Sequence, residues 1–385
     1  MEDWQNGGFG LYLHWPFCES KCPYCDFNSH VSAQIDQRKW RDAYLAEIDR
    51  AGRETPGRVL NTVFFGGGTP SLMDPDLVAA ILERVRGTWP MSNAPEITLE
   101  ANPGSIEAGR FRGYRDAGVS RISMGMQAMN DDDLRRLGRK HTAAEARTAF
   151  EIARNCFDRV SFDLIYARQD QSLDEWRKEL TSALDLAVDH LSLYQLTVED
   201  GTAFGDRLAK GGLKGLPDED LSAEMFELTQ ELCDKAQMPA YEVSNHAKID
   251  AESQHNLIYW RGGDYVGIGP GAHGRLTLRG KRYATEAPKS PAIWLGLAET
   301  GKPAELQRNA LTPEEHGLEY LIMSLRLTEG LNLARLKAIS GMEPAPQKLV
   351  QLIELNMISV DETHIKATAK GRLVLNAVIR ELAGG

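Results

Sequence analysis

Six short apolar runs, each trailed by a stretch of helical periodicity, constrain this 385-residue chain more than any other feature. Strand-like runs fall at 10–14, 61–65, 96–100, 121–126, 159–166 and 190–198. Between them the spacing predicts amphipathic helices over 36–51, 74–86, 105–117, 142–156 and 172–188. Repeated β-then-α units require parallel strands joined by right-handed crossovers. Six strands predict an incomplete barrel, because a closed (β/α)8 barrel wants two more. Reactive groups in such sheets collect at the C-terminal ends of the strands. Cys18, residues 66–69, Glu100, Gln127 and Asp163 all sit at or just past such an end.

Three of the five cysteines follow the first run as Cys18-Glu19-Ser20-Lys21-Cys22-Pro23-Tyr24-Cys25. A C-x3-C-x2-C loop can hold three irons of a [4Fe-4S] cluster and leave the fourth without a protein ligand, open to a small molecule. The alternative is a structural zinc site, which takes four ligands and would recruit His30. A disulfide framework is disfavoured, since three thiols cannot pair among themselves and no signal peptide points to an oxidising compartment. Cys156 and Cys233 lie in helical patterns and read as core thiols. After the second run comes Gly66-Gly67-Gly68-Thr69-Pro70, where missing side chains let a ligand meet backbone N–H and C=O groups. The same string also suits a tight strand-to-helix turn, and it is neither a P-loop nor G-x-G-x-x-G.

Past residue 305 the pattern changes. Helices are expected over 312–326, 333–339 and 347–355, then a hairpin of 358–360 and 364–366 about Asp361-Glu362-Thr363, then a last helix to Leu382. Three helices with a small wing have the outline of a winged-helix module. Nucleic acid is nevertheless disfavoured as a partner, because residues 305–385 carry nine Lys or Arg against ten Asp or Glu and the whole chain has a net charge of -11. A docking or lid role fits that balance better. Hydrophobic residues at 42% and charged residues at 26% are those of an ordinary globular protein. No apolar run reaches the roughly 20 residues of a membrane span, and the reduced-thiol usage places the chain in the cytoplasm as an expectation.

These motifs occur together in a known order. Residues 11–18, Cys22-Pro23-Tyr24-Cys25-Asp26-Phe27-Asn28-Ser29-His30, Phe64-Phe65-Gly66-Gly67-Gly68-Thr69-Pro70, Leu99-Glu100-Ala101-Asn102-Pro103, Ser123-Met124-Gly125-Met126-Gln127, Asp163-Leu164-Ile165-Tyr166, His255-Asn256-Leu257-Ile258-Tyr259-Trp260 and the glycine-rich 267–274 resemble the radical S-adenosylmethionine (SAM) proteins. The resemblance is to the HemW haem-chaperone branch of the oxygen-independent coproporphyrinogen III oxidase family.

The resemblance implies a partial (β/α)6 TIM-type barrel over residues 1–240, a connecting region over 241–304, and a C-terminal α+β winged-helix-like domain over 305–385. It implies a [4Fe-4S] cluster on Cys18, Cys22 and Cys25, with the amino and carboxylate groups of SAM on the open iron. Gly67, Gly68 and Thr69 would receive the aminoacyl end. Tyr12, Tyr24, Glu100, Gln127, Arg139 and Asp163 are the other SAM contacts it implies, while neighbouring Arg136 reads as a solvated-face residue. His255 would ligate haem, with His273 as the competing ligand. His246 departs from the family pattern, which commonly has an aromatic residue there.

Two further features separate branches of the family. The oxidase branch has a fourth cysteine two positions after the third and a longer leading segment; here the position is Phe27 and 17 residues precede Cys18. The expectation is therefore a haem chaperone that passes haem to acceptor haemoproteins, respiratory enzymes among them, without a membrane span but with peripheral membrane contact allowed. The alternative is a radical SAM enzyme, either a coproporphyrinogen III oxidase or a methyltransferase, drawing electrons from a flavodoxin or ferredoxin.

Overall fold

The computed structural model describes residues 2–32, 34–103 and 108–384. Its centre is a run of parallel strands in sequence order: β1 (Phe9–Trp15), β2 (Leu60–Gly67), β3 (Met91–Ala101), β4 (Arg121–Gln127), β5 (Arg159–Tyr166) and β6 (His190–Gln195). The helices between them are α1 (Gln37–Glu54), α2 (Pro75–Thr88), α3 (Ala108–Ala117), α4 (Ala143–Cys156) and α5 (Leu173–Leu186). The first residues of the helix expected over 105–117 lie outside the described residues. The partial (β/α)6 barrel is thus present as read.

Local chemistry accounts for these elements. Every residue of β1 except Tyr12 is buried, as expected for a strand covered on both faces. Both α4 and α5 begin in capping boxes, Thr142 with Glu145 and Ser172 with Glu175, which satisfy orphan N–H groups reciprocally. Asp36 caps α1 by accepting from the N–H groups of Arg38 and Lys39.

The sheet does not stop at six strands. On one side β7 (Asn245–Ala247) adds antiparallel to β6. On the other, β8 (Asp264–Ile268) pairs parallel with β1, and β9 (His273–Leu278), β10 (Lys281–Glu286) and β11 (Asn309–Ala310) continue antiparallel, giving 11 strands in one sheet. Residues 241–304 therefore share the sheet and core of the barrel. The helix Pro291–Glu299 packs on α1, where Trp294 and Trp40 stack at 5.5 Å and 3° from parallel.

A buried polar network closes the N-terminal ends of the strands. Glu96 Oε2 accepts from Arg121 Nη1 at 3.4 Å and Arg159 Nη1 at 3.2 Å. Its Oε1 accepts from the backbone N–H of His255 at 3.1 Å and the Ser253 hydroxyl at 3.4 Å. One carboxylate thereby ties three strands to the start of the helix Gln254–Trp260.

The C-terminal module holds the helices Pro313–Ser324, Leu333–Ser340 and Pro346–Glu354, the hairpin Ile358–Val360 with His364–Ala367, and two closing helices ending at Ala383. Leu331–Asn332 is a third strand on the hairpin. The module has its own core around Leu321, Leu336, Ile365 and Val378, and it is clamped to the barrel. Arg335 grips Asp3 through two bonds of 2.8 and 2.9 Å, and Leu327 is buried with Tyr241 and Leu257. Among the described residues no helix is long and apolar enough to cross a membrane.

Candidate functional site

Cys18 ends the two-residue strand Phe17–Cys18, which pairs with His30–Val31 and so closes the loop carrying Cys22 and Cys25. All three thiols are half-buried and free. They line a cavity of about 140 Å³ at the C-terminal ends of β2 to β5. Thr69 Oγ1 donates to Cys18 Sγ at 3.4 Å, Arg139 Nη1 to Cys22 Sγ at 3.4 Å, and Ser29 Oγ lies 4.0 Å from Cys25 Sγ. Burial raises the thiols of Cys18 and Cys25 above their ordinary range, against hydrogen bonds that favour the thiolate. A metal that takes the proton's place relieves that penalty.

The opposite wall is backbone. A Cβ on Gly68 would stand 2.6 Å from the Phe17 carbonyl oxygen and 3.0 Å from Cys18 Sγ, and Gly67 adopts φ +112°. Side chains are excluded there, which leaves a cradle for a ligand's polar end. Gln127 lies in the left-handed region at φ 70°, beyond a register shift in the pairing of β4 with β5. Strain at a strand end that re-aims a side chain into a cavity is a mark of functional sites.

Two carboxylates share this space. Glu100 accepts from Gly67 N–H at 3.2 Å. Burial, then the charge of Asp163, pushes the Glu100 carboxyl up to about 8. Burial likewise raises Asp163 to about 6, opposed by Ser192 and by the guanidinium groups of Arg121 and Arg139. Arg139 is fixed by Asn102 Oδ1 and the Gly125 carbonyl, each at 2.9 Å from Nη2. The structure thus brings Tyr24, Gly67, Gly68, Thr69, Glu100, Gln127, Arg139 and Asp163 onto the cavity of the three cysteines. The chemistry of the wall suits the expected groups: three thiols for a cluster, and polar backbone with carboxylates and a guanidinium for a ligand bearing both an ammonium and a carboxylate.

Tyr12 is not on that cavity. It lines a neighbouring one of about 680 Å³, together with Tyr259, Trp260, Tyr265, His30 and His273, and the two cavities share Gly67 and Glu100. Tyr12 Oη lies 3.0 Å from His14 Nδ1, and its ring stacks with Phe64.

His255 behaves differently from the expectation of a haem ligand. It is 1% exposed, stacked on Phe64 at 5.0 Å, with Nδ1 2.6 Å from Thr62 Oγ1 and Nε2 2.6 Å from Tyr259 Oη. Burial drops its pKa to about 3, so the ring is neutral. Both nitrogens are engaged and no face is open, so in this arrangement it has no lone pair to offer an iron. Tyr259 and Trp260 of the same segment do reach the larger cavity. His246 is also a buried, neutral ring, 3.4 Å from Gln230 Nε2 and remote from the site.

Three contributors escaped the sequence reading. Thr62 holds the His255 ring at Nδ1, Glu96 anchors its backbone, and Asn28 Nδ2 donates to the carbonyls of Pro270 and Lys289, each at 2.9 Å. Asn28 lies inside a motif already quoted; Thr62 and Glu96 carry no local signal.

Comparison with known proteins follows the same outline. Residues 12–182 match the Radical SAM superfamily and residues 311–374 the HemN C-terminal domain. The chain is 37% identical over 374 residues to the "Heme chaperone HemW" of Escherichia coli, covering 96% of each chain. It is 33% identical over 380 residues to the mitochondrial "Radical S-adenosyl methionine domain-containing protein 1" of Danio rerio, covering 96% of this chain and 85% of that one. The solved coproporphyrinogen III oxidase (HemN) of Escherichia coli superposes with a TM-score of 0.82 over 98% of this chain and 90% of that one, at 22% identity, a likeness of fold. With the barrel, the cysteine loop and near full-length identity to HemW in agreement, the chain belongs to the HemW family of radical SAM proteins.

Proposed function

We propose that this protein is a haem chaperone: it carries a [4Fe-4S] cluster and SAM in the cysteine cavity, binds haem beside them, and hands the haem to acceptor haemoproteins. The observation that carries the reading is the cavity of about 680 Å³ that opens against the cysteine cavity, lined by aromatic rings, imidazoles and two lysines. That volume lies within the roughly 300–1,000 Å³ of cofactor sites. The relatives named as haem chaperones support it.

Cys18, Cys22 and Cys25 hold the cluster, and Thr69 and Arg139 steady two of the sulfurs with hydrogen bonds. Bound there, a cluster with one open iron supplies a ligation point for the amino and carboxylate groups of SAM and a store for one electron. Gly67, Gly68 and Thr69 receive the aminoacyl end, Asp163 accepts from hydroxyls, and Gln127 and Tyr24 frame the remainder. Glu100, neutral at pH 7 while the cavity is empty of charge, ionises when an ammonium approaches. Tyr12 belongs to the haem side of the wall. The acceptors are haemoproteins, respiratory enzymes among them, which brings the chaperone to the membrane surface from the cytoplasm without a span of its own. A flavodoxin or ferredoxin is the electron donor if the cluster is cycled.

The test is one anaerobic experiment on reconstituted protein with SAM, given haem and an apo-haemoprotein in one arm and coproporphyrinogen III in the other. Haem should pass to the acceptor and no protoporphyrinogen IX should accumulate. Catalytic decarboxylation without haem transfer would move the assignment to the oxidase branch.

A further inference from the structure

Resting on the reading that this protein carries haem, we propose that His273, not His255, is the axial ligand of the haem iron, in the cavity between β1, β9 and the helix Gln254–Trp260, and that His255 is a positioning residue for that cavity's aromatic wall.

The histidines on the cavity divide by what already occupies them. His14 is buried and held at both nitrogens, by Tyr12 Oη at 3.0 Å and the Asn28 carbonyl at 2.9 Å. His30 has Nε2 3.2 Å from Asn28 Oδ1. His273 stands at the start of β9, exposed to the cavity, and among the described residues its ring takes part in no hydrogen bond or ion pair. His14, His30 and His273 line the same cavity. Among the described residues, His30 thus has one nitrogen engaged and His273 neither; an imidazole with both nitrogens open suits a metal that brings its own equatorial ligands, as the four pyrrole nitrogens of haem do.

The rest of the cavity fits a macrocycle with two carboxylates. Tyr259 and Tyr265 meet edge to face at 4.5 Å, and Trp260 continues this wall. Lys21 and Lys289 stand at the rim, exposed, as cations for propionates, and Asp26 shares the rim. Met323 reaches the same cavity from the C-terminal module.

His255 then has a different task. Its 2.6 Å contacts to Thr62 on β2 and to Tyr259 peg the tyrosine to the barrel, so the wall is rigid before haem arrives. The H-N-x-x-Y-W segment thus serves haem through Tyr259 and Trp260, and its histidine acts through them.

The experiment uses cluster-reconstituted full-length protein with haem added, read as a difference spectrum against the haem-free protein and by resonance Raman of the ferrous form, where an iron–imidazole stretch reports axial histidine. His273→Ala should lose that stretch and weaken haem binding by about tenfold or more, while added imidazole restores the stretch. His273→Met should give a spectrum of thioether ligation. His255→Gln should keep the iron–imidazole stretch, with faster haem loss. Iron and sulfide content per chain should stay as in the parent for all three. Loss of the stretch in His255→Gln with its retention in His273→Ala would return ligation to His255, and retention in both would assign it to His30 or another group; either result overturns the inference alone. Parent protein that binds no haem overturns the chaperone reading as well.

Discussion

Replacing Glu96 with Gln should destabilise the protein by about 3 kcal/mol and loosen the start of the helix that carries the aromatic wall, without altering a residue on either cavity. The size follows from the partners. Removing one member of a buried ion pair costs roughly 3–5 kcal/mol, because the other charge stays buried and unpaired. Arg121, with a side chain 3% exposed, would keep the Ser161 hydroxyl at 3.2 Å as its hydrogen-bond partner and only the charge of Asp163 as a counterion, whereas Arg159 is 28% exposed and retains Asp189 at 3.1 Å. One stranded guanidinium rather than two puts the effect at the lower end. A glutamine amide also cannot accept on both sides, so either the arginines or the His255 N–H and Ser253 hydroxyl face its NH2 group. With a urea slope of about 3 kcal/mol/M, the unfolding midpoint should fall by about 1 M. The double variant Glu96→Gln, Arg121→Met should recover part of the loss, since the unpaired cation goes with it. A midpoint shift below about 0.3 M, or losses that simply add in the double variant, would refute the reasoning.

The remaining expectations concern the site. Anaerobic protein should carry about four irons and four sulfides; Cys22→Ala should abolish them and Cys233→Ser should not, since Cys233 is buried with its thiol pushed up to about 12. In cluster-free protein, burial raises the Glu100 carboxyl from 4.5 to about 8 and Asp163 from 3.8 to about 6, so the folded state binds more protons than the unfolded. The stability they contribute is complete below the unfolded values and is lost as pH rises through about 6 and then about 8. Denaturation midpoints should therefore fall between pH 5 and about 8.5, and Glu100→Gln should flatten the upper half; an unchanged slope would count against the assignment. SAM binding near pH 7 should release protons, seen as a calorimetric heat that depends on the buffer's ionisation enthalpy. Finally, Phe27→Cys should not confer decarboxylation, because Phe27 is 60% exposed at the junction of the two cavities and a thiol there lies on open surface; turnover of coproporphyrinogen III by that variant would show the position alone decides the branch.

The barrel was legible because its signals are local. Runs buried on both faces read as parallel strands, and the capping boxes at Thr142 and Ser172 mark helix starts within a residue. The extension of the sheet was not. Gly267, Gly269 and Gly271 interrupt the apolar pattern of β8 and the turn after it, so the stretch does not read as a strand. The glycines answer instead to crowding: a Cβ on Gly269, at φ +115°, would stand 2.2 Å from the His14 carbonyl oxygen. Among site residues, the cysteines and the glycine turn were legible because spacing within one loop encodes them. His255 was placed on haem from its segment alone, and its partner Thr62 lies 193 residues away, where no period or spacing can show it.

The division between the two cavities bears on how haem could be released on demand. Their common wall is Phe27, Ser29, the Gly67 turn and the Glu100 carboxyl that accepts from it. A charged ligand in the cysteine cavity changes the ionisation of Glu100, and an ionised carboxylate accepts more strongly from the Gly67 N–H than a neutral acid does. On the far side, Met323 reaches the larger cavity from the C-terminal module, so on the proposed reading an acceptor docked on that module would bear on the cavity's outer wall. On the proposed reading, cofactor state bears on the inner wall and acceptor contact on the outer one. If His273 holds haem as proposed, one exposed imidazole between these two walls would let haem leave by opening a wall rather than by unfolding the barrel.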